Sequence, residues 1–162
     1  MTNAQLNFYA NQLGLEYDDG GKIAQKGKLN LELLNELNAL AYYSKPFPKS
    51  LGFEFVKEIV LPLIENHSIA IEDKMHTFTE HIAVQTNLAL TKKQGKMLVT
   101  GGGAYNDFLI ERMQFHLPKI EIFIPENNTL EFKEALIFAL LGVLKLRNEI
   151  NVLRSVTGAK RD

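Results

Sequence analysis

None of the 162 residues is cysteine, which excludes disulfides, iron-sulfur clusters and thiolate chemistry. Neither sign of charge is in excess: 18 Lys and Arg stand against 19 Asp and Glu, a formal charge of -1. No net basic field therefore argues for nucleic acid or acidic lipid as a partner. Long hydrophobic runs are missing too. The longest uncharged apolar stretch, Ala135 to Leu144, holds ten residues between Glu134 and Lys145, against the ~20 that cross a bilayer. The opening MTNAQLNFYANQLG has neither a basic n-region nor an apolar h-region, so no secretory signal is visible and the expected location is cytoplasmic. Internal repeats and low-complexity tracts are absent as well. What remains is 46% hydrophobic and 23% charged, the balance of a soluble globular protein of about one domain, long enough to hold one core.

Apolar spacing divides the chain into elements. Leu6, Tyr9, Ala10 and Leu13 predict a first helix over about residues 2 to 13, stopped by Gly14. The following YDDGGKIAQKGK reads as a turn or exposed loop without a core pattern, and Asp18 and Asp19 match no metal-loop spacing. Leu31, Leu34, Leu37 and Leu40 predict a short helix that ends before Pro46 and Pro48. Ser50 is placed to cap a helix over about 51 to 65, with Phe53, Val56, Ile59, Val60 and Ile64 as its buried stripe. A long amphipathic helix follows from Ile71 to Leu90, through Met75, Phe78, Ile82 and Ala89, with Glu72 and Asp73 at its dipole-favoured start.

The period then changes. Met97 to Thr100 form a short apolar run, three glycines follow, a helical pattern runs through Phe108, Leu109, Met113 and Leu117, and Ile120 to Ile124 supply a second apolar run. This predicts a strand-helix-strand crossover with two parallel strands. The last helix, about Leu130 to Leu146, is apolar around most of its circumference and is expected to lie buried. Two parallel strands cannot cover so much apolar helix, since parallel sheets are normally buried on both faces. Strands from a longer protein or from a second chain are therefore expected to complete the sheet.

The sharpest chemical feature is VTGGGAYN, Val99 to Asn106. Glycines between a strand and a helix let backbone N–H groups approach a phosphate or ribose. No Gly-Lys-Ser/Thr follows, and the dinucleotide spacing is incomplete. A nucleotide cradle and a tight structural turn both remain open at this point. His76, Glu80 and His81 share one predicted helix, but their order and rotation do not suit a zinc site, and the residues read as a solvated helix face. His67 and His116 have no evident catalytic partners in sequence. Glu131 and Glu134 begin the last helix, where an acid either interacts with the dipole or faces a site; Glu134, next to the apolar ALIFALLG, would lie near the core.

Taken in order, several segments resemble anhydro-N-acetylmuramic acid kinases of the actin, hexokinase and heat-shock chaperone superfamily. They are ANQLGLEYDDGGKIAQKGKLN, PFPKSLGFEF from Pro46 to Phe55, the helix with Thr77 and Glu80, VTGGGAYNDFLIERM, KEALIFALLG, and SVTGA from Ser155 to Ala159. The resemblance spans nearly the whole chain. It implies an α/β fold: part of a ribonuclease H-like (actin-like ATPase) domain, helix-rich, with at least two parallel strands. It further implies that residues 1 to 162 form a single carboxyl-terminal domain of a two-domain sugar kinase, lacking the amino-terminal half and the catalytic aspartate. Met1, set inside a predicted helix, fits such a cut, whether from a split gene or a truncated reading frame.

The family's roles carry over residue by residue. Gly101, Gly102, Gly103 and Asn106 are expected on the nucleotide side, and Glu134, the Glu of the E-A-x-x-F-A motif, is expected to face the sugar. No catalytic residue and no metal ligand is assigned. ATP and Mg2+ are the implied cofactors. The implied reaction phosphorylates the anhydro sugar while an aspartate base activates water to open its 1,6-anhydro ring, a step in peptidoglycan recycling that needs both domains. Phe53 stands where the family often has Arg, and Leu153-Arg154 where it has Leu-Pro. The chain alone is expected to be inactive. Its expected partners are ATP and an anhydro-amino sugar in the complete enzyme, the missing half or a second chain, and further copies of itself as a homo-oligomer; nucleic acid and membrane are not expected. A non-catalytic binding or assembly module that keeps the fold is the alternative.

Overall fold

The computed structural model describes residues 2–46, 49 and 51–153. The cap expected at Ser50, the SVTGA motif and Arg154 lie outside them. The chain divides into two compact units, Met1–Ile124 and Pro125–Asp162.

In the first unit, α1 (Thr2–Gln12) buries Leu6 and Tyr9. The segment expected to be a plain loop instead folds into a 3-10 turn, Asp19–Gly21, and a short helix α2 (Lys22–Lys26) with Ala24 fully buried. The Asp18 carboxylate explains this. It accepts from the backbone N–H of Ile23 at 2.8 Å and of Ala24 at 3.1 Å, occupying two donors that a helix start leaves unpaired. Helix α3 (Leu31–Asn38) is capped by Asn30, whose side chain accepts from Leu33 N–H at 2.8 Å. Its core residues are Leu33 and Leu37, while Leu31, expected inside, is 64% exposed. Helix α4 (Ala41–Ser44) follows.

The expected helix over 51 to 65 is interrupted. Helix α5 (Phe53–Phe55) runs into a π-helical segment, Val56–Val60, before α6 (Leu61–Glu65). Pro62 at the start of α6 lacks the N–H that would continue an α-helical ladder, and the wider turn absorbs that loss. Val56, Val60 and Ile64 are buried as expected, whereas Phe53 and Ile59 are exposed.

Helix α7 (Ile71–Ala89) is the axis of the unit, and Met75 and Phe78 on it join Leu6, Tyr9, Ala24, Leu33, Leu37 and Ile64 in one core. The segment entering α3 is fastened to α7. Lys28 N–H donates to Asp73 at 2.6 Å and Asn30 N–H to the Thr77 hydroxyl at 3.0 Å.

Strand β1 (Gly95–Leu98), a 3-10 turn (Gly102–Tyr105), α8 (Asp107–His116) and β2 (Ile120–Phe123) form the expected crossover. The strands pair in parallel, Gly95 opposite Ile120 and Leu98 opposite Phe123. One face, through Met97 and Ile122, packs on Ala83, Leu109 and Met113. Leu98 and Phe123 are exposed, so among the described residues the sheet has two strands and one bare face.

The second unit holds α9 (Asn127–Leu146). Its apolar composition predicts burial, and the structure corrects this: Phe132, Leu136, Phe138, Leu140 and Leu146 are exposed. Among the described residues, no helix is long and apolar enough to cross a membrane.

Candidate functional site

The glycine turn separates the jobs of its residues. Gly101 has φ +77°, in the left-handed region that favours glycine, and a Cβ placed there would meet open space. Gly102 begins the 3-10 turn and is exposed. Gly103 accepts from Asn106 N–H at 3.2 Å, closing the turn. Asn106 then caps α8, its side-chain oxygen accepting from Leu109 N–H at 2.9 Å. It is buried, and Gly21 lies so close that a Cβ there would come 2.2 Å from that oxygen. The capping role was not read from the sequence, although an Asn three residues before Leu109 at the head of an apolar helix is its usual signal.

Gly102 and Asn106 line a cavity of about 390 Å³ together with Asn7, Glu16, Tyr17 and Asp19. The DDGG segment, expected to be a turn or exposed loop, is thus one wall of this cavity. The tight approach of Gly21 to Asn106 that builds this wall joins residues far apart in sequence, and no local signal announces it. Three acidic residues, Glu16, Asp18 and Asp19, line the same space. Asp18 is engaged with α2, and Asp19 pairs with Lys22.

Glu134 is on α9 and exposed, not near a core as expected, and so is Glu131. The solvated face expected for His76, Glu80 and His81 is also corrected, because all three have protein partners and the last two are buried. His76 Nδ1 donates to the Ala24 carbonyl at 2.9 Å. Glu80 accepts from Arg112 Nε at 2.6 Å and Nη2 at 3.2 Å, and from His116 Nε2 at 2.7 Å. Burial alone would raise its carboxyl, but the hydrogen bonds from Arg112 and His116 outweigh this and hold it below the ordinary range. His116 therefore has a partner that sequence proximity could not show; His67 likewise meets Glu36 at 3.2 Å.

His81 faces another way. Asn38 Oδ1 accepts from Gln85 Nε2 at 2.8 Å and from His81 Nδ1 at 2.7 Å, so His81 Nε2 accepts from the Tyr43 hydroxyl at 2.8 Å. Burial pushes the His81 pKa down to about 4 and keeps the ring neutral. Burial first, then the neighbouring Tyr42, push Tyr43 up to about 12. Among the described residues no group of three or more His, Asp or Glu is placed to hold a metal ion.

The glycine turn, its capped helix and the adjoining cavity lie within a sequence that matches the family model for anhydro-N-acetylmuramic acid kinase over residues 3–162. The chain belongs to the anhydro-N-acetylmuramic acid kinase family. Proteins of that name from Saccharophagus degradans (34% identical over 160 residues, 94% of this chain and 43% of the relative) and Aliivibrio fischeri (34% over 155 residues, 91% and 42%) are similar to it. So is one from Sulfurovum sp. (36% over 157 residues, 94% and 43%). The chain therefore spans less than half the length of these kinases. The family has the actin-like ATPase fold, to which the helix-rich build and the parallel strand pair correspond.

Proposed function

We propose that the chain is the nucleotide-side part of an ATP-dependent anhydro-N-acetylmuramic acid kinase acting in cytoplasmic peptidoglycan recycling. The observation that carries this reading is the glycine turn, with left-handed Gly101 open to space and Gly102 on the wall of a cavity. A triphosphate would be repelled by Glu16, Asp18 and Asp19, whereas the hydroxyls of a ribose and the amines of a base are natural partners for carboxylates. The nucleoside therefore suits the cavity and the phosphates suit the open side of Gly101. Gly102, Gly103 and Asn106 are the other nucleotide-side residues, and Glu134 is the sugar-side residue. The bare face of the two-stranded sheet among the described residues supports a reading in which further strands come from another part of the kinase or from a second chain.

Mg2+ is the metal that the kinase reading implies, and among the described residues no group of three or more His, Asp or Glu is placed to hold it. When bound it would offset phosphate charge. This chain's contribution is to position the nucleotide, and turnover requires the base and phosphate clamp of the remaining part. The alternative, a non-catalytic assembly module, draws support from the exposed apolar residues of α9.

The deciding experiment joins the remaining part of the kinase by fusion or co-expression and measures ATP affinity and melting temperature with and without Gly102→Val. The positive φ falls on Gly101, so a branched side chain at Gly102 blocks ligand approach without that backbone penalty. An affinity loss of about 1.4 kcal/mol, tenfold, at unchanged melting temperature is expected. Unchanged affinity in a complex that binds ATP would refute the role of the turn.

A further inference from the structure

A second and larger cavity, of about 800 Å³, shares no residue with the pocket beside the glycine turn. Tyr42 of α4, Phe55 of α5, Val60 and Phe78 give it apolar walls, within the size range of small-molecule sites. Four of its polar side chains are already bonded to one another. Tyr43 donates to His81, His81 donates to Asn38, and Gln85 donates to the same Asn38 oxygen. A polar ligand body that competed for these groups would have to replace each bond it broke, a requirement that an apolar body avoids.

The charge of the lining is one-sided. Among the described residues no Asp or Glu lines the cavity, while Lys45 and Lys49 do. Lys49 donates to the Tyr43 carbonyl at 2.8 Å, and its ammonium lies 5.2 Å from the centre of the Tyr42 ring. Lys45 is exposed. We infer that this cavity binds an anionic amphiphile, an aryl or short alkyl acid whose apolar body lies against Tyr42, Phe55 and Phe78 while its acid group meets the two lysines. The charge complementarity selects the acid, and the committed polar network selects the apolar body.

The test is fluorescence titration of the full chain with two probes of matched shape, anilinonaphthalene sulfonate and the uncharged N-phenylnaphthylamine. Saturable binding of the sulfonate is expected. Lys45→Glu, at an exposed position, weakens the sulfonate about threefold, the scale of a surface ion pair, and leaves the neutral probe unmoved. Thr86→Trp places a large ring in the cavity from a partly buried wall position, where the native hydroxyl donates only to Ile82 of the same helix at 2.8 Å. It weakens both probes by about tenfold, or 1.4 kcal/mol. Sulfonate binding indifferent to Lys45→Glu overturns the proposal, as does binding indifferent to a Thr86→Trp variant that keeps its circular dichroism. Should Thr86→Trp fail to fold, Lys45→Glu alone decides.

Discussion

Helix α7 carries Lys74, Glu80 and His81 and buries all three, whereas α9, apolar around most of its circumference, leaves Leu136, Phe138 and Leu146 in solvent. Composition alone assigns them the other way round. The difference lies in what each helix meets. Each of the three has a partner: Lys74 with Glu65 at 3.1 Å, Glu80 with Arg112 and His116, His81 with Tyr43 and Asn38. A buried polar group with its hydrogen bonds made is tolerated, while an apolar face without a covering layer has nowhere to go. The glycines repeat the contrast. A Cβ on Gly27 would come 2.1 Å from the Glu72 carbonyl of α7, while one on Gly142 in α9 meets nothing within 4 Å.

The largest expected effect comes from breaking the α7–α8 clamp. Glu80→Ala leaves Arg112 and His116 facing each other without their shared carboxylate, and a loss of about 3 kcal/mol is expected in urea unfolding. A comparable effect follows from acid. Between pH 6.5 and about 4 the unfolded chain takes up a proton that folded His81 refuses. Stability is therefore fully present above 6.5 and falls as the pH drops through that window, by up to about 3 kcal/mol. His81→Gln removes the part of this slope that belongs to the ring, as unfolding at a series of pH values will show. If the slope survives in the variant, its source is elsewhere.

Gly27→Ala is next. The methyl must push α7 backbone aside, so a loss of about 2 kcal/mol is expected as a lowered melting temperature. Gly142→Ala reverses the sign. In an open helical position it should gain about 1 kcal/mol of local helix stability, read as slower amide exchange around that turn. Equal outcomes for the two glycines would erase the contrast between these helices.

Periodicity made much of the frame legible. The crossover from β1 to β2, α1 ending near Gly14, and α7 itself follow from spacing and from glycine and proline punctuation. The parts that escaped depend on contacts far apart in sequence. Asp18 turns a Gly-rich loop into the start of a helix by reaching Ile23 and Ala24. Glu80 looked solvated because its partners lie 32 and 36 residues away. Pro62 was a visible signal left unread, and it splits one expected helix into α5, a π segment and α6. Of the site, the glycine turn was legible and its neighbour DDGG was not, since nothing local brings Gly21 beside Asn106. Glu134 rested on its place beside an apolar run and on the family motif, and its local environment is solvent.

The most direct test of the central claim is a phosphoryl-transfer assay with ATP and the anhydro sugar, run on the purified chain and again after the remaining part of the kinase is supplied. The expected result is no turnover by the chain alone and turnover in the combined protein. Turnover by the pure chain, lost on Glu134→Ala, would contradict it by placing the catalytic machinery within these 162 residues. A folded combined protein that still transfers no phosphate would contradict it from the other side and leave the assembly module standing.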